Sequence, residues 1–172
     1  LSETFRQATD FNGAIDDWDV SKVTTLYYTF GQATAFNKPL NSWNTERVTA
    51  MGGTFYEADA FNQPIGHWNT SAVTDMTWMF NRADRFNQPI DTEADYSRWV
   101  TSNVTSMNRM FESAIAFNQD LNSWNTSKIT GAGLEAMFSG ATNFNGRIGN
   151  WDVSGVTTLR SFLNNARNFN QD

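Results

Sequence analysis

The residues with the widest chemical range in this chain are few, and they stand apart. His67 is the only histidine and there is no cysteine, so a thiolate metal site and a disulfide framework are both excluded. His67 occupies a repeat position filled elsewhere by Asp17, Ser42, Arg98, Ser123 and Asn150, which suits a solvated side chain rather than a catalytic base. Asp16, Asp17 and Asp19 cluster carboxylate oxygens of the kind Ca²⁺ favours, but the cluster does not recur in later repeats. No serine or carboxylate has an evident base or orienting partner, and no Gly-rich phosphate loop or metal motif is present. The expectation is a protein that is not an enzyme and uses no metal or cofactor.

Composition narrows the partners. The net charge of −6, with 12 Lys and Arg scattered singly, gives no basic footprint for nucleic acid or an anionic membrane surface. No apolar run is long enough to span a bilayer, so direct membrane insertion is not expected. Aromatic residues make up 15% of the 172 residues, with 14 Phe and 7 Trp, so burial must rely on rings. The chain opens at Leu1 already inside its pattern and reads as part of a longer protein, any signal or anchor lying outside it.

That pattern is a repeat of about 25 residues, with units at 1–25, 26–50, 51–75, 76–106, 107–133, 134–158 and a partial 159–172, read together as one domain over 1–172. Position 8 is Ala in all seven units, and positions 11 and 12 are Phe-Asn in all seven. Trp18, Trp43, Trp68, Trp99, Trp124 and Trp151 form a further column. Columns of this kind are core in a stacked array, and the Asn12 column suits a ladder of amides satisfying turn backbone from unit to unit.

Within a unit, apolar residues at positions 1, 4 or 5, 8 and 11, as in Met76, Met79, Phe80, Ala83 and Phe86, have the spacing of a short helix. The Thr24 column supplies an N-cap, Asn at position 12 a left-handed stop, and Pro39, Pro64 and Pro89 prevent resumption. The alternation of Trp68 and Thr70 then predicts a short strand. Helix and strand in each unit predict an α/β architecture: a right-handed, leucine-rich-repeat-like solenoid with parallel strands on its concave face and helices on its convex face.

The phrases FNQPIGHWNTSAVTDMTWMF, FNQDLNSWNTSKIT and MNRMFESAIAFNQD resemble the BspA-like surface leucine-rich repeats, in the Trp-containing 25-residue form found in mycoplasma-type surface lipoproteins. The resemblance covers the whole chain. It implies a cell-surface or extracellular adhesion or protein-binding module, and carries over no catalytic residue. The insertion in unit four departs from the pattern.

Three features are candidates for binding. Asn44, Asn69 and Asn125, beside a column of serines, would face outward from the strands and offer hydrogen bonds to an extended peptide or glycan. The unit-four insertion offers Asp91, Glu93, Asp95, Tyr96 and Arg98 in a loop. Tyr28 and Trp78 share position 3 of units two and four, with Gly53 between them, Tyr27 beside them and Tyr56 one turn along. These rings either form an exposed patch over bare backbone or fill a layer between the packed elements.

Asn69, Asn103 and Asn125 begin N-glycosylation sequons. The expected function is a surface recognition or adhesion module for a protein or peptide. The alternatives are a structural spacer in a larger surface protein, or a glycan-binding module. Self-association through the repeat ends is a further expectation.

Overall fold

The computed structural model describes residues 1–91 and 99–171. Its local element is the turn. In unit three the amides of Thr54, Tyr56, Ala58 and Phe61 donate to the carbonyls three residues back. The amides of Met51, Gly53, Phe55 and Glu57 donate instead to Asp75, the last residue of the unit, and to Thr77, Met79 and Asn81 in unit four. Alternate amides thus close turns within a unit and tie it to the next, so the backbone is satisfied without a helix.

Such turns need the left-handed region. φ is positive at the third and seventh residues of all seven units, from Glu3 and Gln7 through Gly53 and Glu57 to Ser161 and Asn165. In the turns closed by Thr54 and Ala58 these are the third of four residues, the position where type II turns require it. A side chain there costs about 1–2 kcal/mol, and a right-handed helix cannot pass through it.

This overturns the α/β expectation. Among the described residues there is no helix, and strand-like pairing is limited to four isolated parallel bridges, Thr25 to Ala50, Ala50 to Asp75, Asp75 to Ser106 and Gly131 to Val156. The architecture therefore has no convex helical layer and no concave strand layer, and is not leucine-rich-repeat-like. The three-and-four spacing was ambiguous for a physical reason: consecutive turns turn residues 1, 4 or 5, 8 and 11 inward as a helix would. At the expected strand, the Trp68 amide donates to Ile65 and the Val73 amide to Thr70, closing two more turns.

The Thr24 column does not cap helices either. Thr49, Thr74 and Thr105 each donate their hydroxyl to the carbonyl of the equivalent Thr one unit back, at 3.3, 3.3 and 3.1 Å. A second column, buried Thr45, Thr70, Thr101 and Thr126, donates forward to the carbonyls of Asn69, Val100, Asn125 and Asp152. Asparagines complete the set: the amide of Asn37 donates to Asn12 Oδ1, Asn62 to Asn37, Asn87 to Asn62, Asn118 to Asn87, Asn145 to Asn118 and Asn170 to Asn145. Among the described residues no buried side-chain polar atom lacks a partner, as a low-dielectric interior demands.

Between these polar ladders lies the core. The column Phe30, Phe55, Phe80 and Phe111 stacks at centroid spacings of 5.5 and 5.6 Å with planes within 9°. A second column, Phe36, Phe61 and Phe86, repeats at 6.0 Å. These spacings exceed the roughly 4.8 Å between hydrogen-bonded chains, so the rings stack offset, as their quadrupoles prefer. The tryptophans of this repeat position form a third column, and from Trp43 to Trp151 each indole donates to a carbonyl one unit back, as from Trp68 Nε1 to Leu40 O and Trp124 Nε1 to Ile90 O at 3.0 Å. The Ala8 column reaches 0% exposure at Ala33, Ala58, Ala83, Ala114 and Ala141, where no larger side chain would fit between a turn and the rings.

Candidate functional site

Repeat positions 3 and 6 lie side by side on one surface of the stack, and there the repeat is irregular. Position 3 carries Tyr28, Gly53, Trp78 and Arg109 in units two to five, and position 6 carries Gly31, Tyr56, Asn81 and Glu112. The two glycines make a seat for one ring. A Cβ on Gly53 would fall 2.7 Å from Tyr28 Cε2 and Cζ, and one on Gly31 would fall 2.8 Å from Tyr28 Cδ1. Tyr28 therefore lies flat on the backbone and is buried to 7% exposure.

The other rings gather on it. Tyr56 is 5.5 Å and Trp78 6.4 Å from Tyr28, and Tyr56 and Trp78 are 6.4 Å apart, the three planes inclined by 56°, 73° and 51°. Tyr27 meets Tyr28 edge-on at 4.8 Å. Arg6 places its guanidinium 4.9 Å from the Tyr28 centroid, within the range of a cation–π contact. Tyr28 is the buttress; Trp78, at 38% exposure, is the part of the cluster most open to solvent, together with Tyr27 at 40%. The sequence offered an exposed patch or a buried layer, and the cluster is both.

Beside the rings is a cleft of about 300 Å³ lined by Tyr28, Tyr56, Trp78, Asn81, Arg82, Arg109, Glu112 and Ser113. Its charges are internally matched. Arg109 pairs with Glu112 at 3.2 Å and Arg82 with Glu57 at 3.3 Å. Asn81, 5% exposed, donates Nδ2 to Glu112 Oε2 at 3.0 Å, and Gln32 Nε2 donates to Glu57 Oε2 at 2.9 Å. Burial opposes ionisation of Glu57, but hydrogen bonds from Gln32, Tyr56 and Arg82 outweigh it and hold its carboxyl below the usual range. Burial, reinforced by Tyr27 and Tyr56, pushes the Tyr28 phenol up to about 12 against the opposing charge of Arg6.

A family model described as "Mycoplasma protein of unknown function, DUF285" matches residues 1–93 and again 85–172, so its two matches together run the length of the chain. The chain belongs to the DUF285 family. No curated protein and no solved structure gives a significant match to this DUF285 chain.

The remaining expected site residues are placed differently. In the DUF285 repeat, Asn44, Asn69 and Asn125 each turn Oδ1 onto the amide two residues ahead, those of Glu46, Ser71 and Ser127 at 3.1, 3.0 and 3.0 Å. Asn44 and Asn69 line a polar hollow with His67, while Asn125 does not. Asp91, at the foot of the unit-four insertion, accepts from the Ser123 hydroxyl and lines a second hollow with Asp120, Arg147 and Asn150. Glu93, Asp95, Tyr96 and Arg98 lie outside the described residues. Asp16 and Asp19 diverge, Asp16 accepting from Ser42 of unit two and Asp19 from Ser21. Among the described residues no group of three or more His, Cys, Asp and Glu could hold a metal ion, and no helix is long and apolar enough to cross a membrane.

Asn81, Arg82, Arg109, Glu112 and Ser113 were not anticipated as site residues. Their signal was nevertheless in the alignment: they sit at positions 3, 6 and 7, the same positions as Tyr28, Tyr56 and Trp78 or next to them.

Proposed function

We propose that this chain is a non-enzymatic recognition module of the cell surface, which engages a protein or glycan ligand through the aromatic cleft of units two to five. The observation that carries this reading is the presence of Tyr28 and Trp78 at φ of 46° and 59°. Bulky side chains are outliers in that region, and Gly53 and Ala136 show that the same position functions with small ones. Every unit takes the left-handed conformation there, so it is the choice of bulky rings at that position beside a polar cleft, not the conformation itself, that points to a ligand rather than to packing. The likeness of the repeat to BspA-like surface proteins supports the surface location.

The alternative of a structural spacer is favoured by one observation, the unbroken Asn ladder from Asn12 to Asn170.

Binding of the chain to immobilised extracellular-matrix proteins and to a glycan array, with Trp78→Ala measured in parallel, separates these readings. Recognition through the cleft gives saturable binding that Trp78→Ala reduces by about tenfold or more, a loss near 1.4 kcal/mol. A spacer gives no saturable ligand for either protein.

A further inference from the structure

We propose that the cleft between the Tyr56 and Trp78 rings and the Arg109–Glu112 pair binds the apolar face of a neutral pyranose sugar. This rests on the recognition reading above and specifies its ligand class. The first argument is electrostatic. Both arginines of the cleft already have carboxylate partners, Glu57 at 3.3 Å and Glu112 at 3.2 Å. Each guanidinium is already balanced by its carboxylate, so the two pairs present little net charge to favour an anionic or a cationic ligand. A neutral polyol breaks neither pair, because a hydroxyl both donates and accepts and can bridge them.

The second argument is shape. Trp78 offers an exposed indole, and Tyr56 closes on it at 6.4 Å and 51°. The C–H groups on one face of a pyranose are polarised toward the negative faces of such rings, while the hydroxyls at its edge project past them. Those hydroxyls would meet polar groups at the same cleft: the Arg109 guanidinium, the Glu112 carboxylate fixed by Asn81 at 3.0 Å, and the hydroxyl of Ser113. The volume of about 300 Å³ lies at the small end of ligand clefts, which run from about 300 to 1,000 Å³.

The third argument is preorganisation. Tyr28, locked against Gly31 and Gly53, cannot collapse into the cleft, and Arg6 already covers one of its faces. The platform is thus Tyr56 and Trp78, with Tyr28 behind them. Little ordering remains to oppose binding.

The test is an NMR titration of the whole chain with methyl β-glucopyranoside, methyl α-mannopyranoside and methyl β-galactopyranoside. Sialic acid and glucosamine are the charged comparisons, and N-acetyltryptophanamide is a peptide-like one. At least one neutral glycoside should give saturable shifts at the Trp78 indole N–H and the Asn81 amide, with a Kd on the order of 1–10 mM. Trp78→Ala and Glu112→Gln should each weaken it by about fivefold or more, with the melting temperature checked for both variants.

Preference for a charged sugar would overturn the proposal, as would glycoside shifts that persist in both variants. Binding of the tryptophan amide alone, lost in Trp78→Ala, would overturn the sugar while leaving recognition at the cleft intact. Failure of every probe here, together with no saturable ligand in the array and matrix measurements, would overturn both.

Discussion

Units two to four and units five to seven share one backbone and differ in what stands on it. Position 3 has a φ of 46°, 63° and 59° at Tyr28, Gly53 and Trp78, and of 54°, 52° and 56° at Arg109, Ala136 and Ser161. In both halves its amide donates to the following unit, as from Trp78 to Asn108 at 3.0 Å and from Ala136 to Arg160 at 2.9 Å. The left-handed conformation is therefore imposed by stacking, whatever the side chain. The fold sets the backbone, and the side chains at positions 3 and 6 are free to vary; only in the first half do they assemble a ring cluster.

If that separation is right, damage to the interior should not distinguish the halves. Phe55 and Phe111 are both at 0% exposure, and each stacks on neighbours from both adjacent units. Phe55→Ala and Phe111→Ala should each cost about 3–5 kcal/mol in urea denaturation. A difference between them of more than about 2 kcal/mol would show that the halves are not equivalent inside, and the comparison would fail at its base.

The next largest effect should be confined to the first half. Gly53→Ala places a methyl 2.7 Å from the Tyr28 ring at a φ of 63°, and overpacking of this kind costs about 1–3 kcal/mol. In a Tyr28→Ala background the ring is gone, and the overpacking should vanish, leaving only the left-handed backbone's cost of about 1–2 kcal/mol, which both backgrounds share. The reverse change at the same position of unit six, Ala136→Gly at a φ of 52°, should be neutral or stabilising. Equal penalties for Gly53→Ala in both backgrounds would mean that Tyr28 does not depend on the glycine seat.

How much of this could be read in the sequence follows from which property each residue reports. Columns were legible because stacking makes every unit solve the same problem: Phe, Ala and Trp recur where space is fixed, and Asn12 to Asn170 recur where an amide needs an acceptor. The helix was not legible, because apolar spacing reports which residues point inward and is silent on the sign of φ at Glu57 or Arg82. Thr49 and Thr74 were misassigned for a related reason, since a hydroxyl that caps a helix and one that donates to the unit below look alike in one dimension. Tyr28, Tyr56 and Trp78 were visible as departures from the repeat. Arg109 and Glu112 stand at the same two positions, but only the turn geometry brings positions 3 and 6 of consecutive units to one cleft.

The smallest effect is the most telling. Trp78→Gly removes ring contacts to Tyr28 and Tyr56, each at 6.4 Å, worth about 0.5–1.5 kcal/mol for such a pair. It also relieves a side chain at a φ of 59°, which costs about 1–2 kcal/mol. The two ring-pair terms, about 1–3 kcal/mol together, and the strain nearly cancel, leaving the burial of the covered part of the indole, so the unfolding free energy should fall by no more than about 2 kcal/mol. A loss of about 3 kcal/mol or more in denaturant titration would make Trp78 a structural residue, and its exposure would then be incidental. Near-neutrality would mean that the fold does not need the indole, so the reason for placing the largest side chain on a strained, solvent-facing position must lie in what touches it from outside.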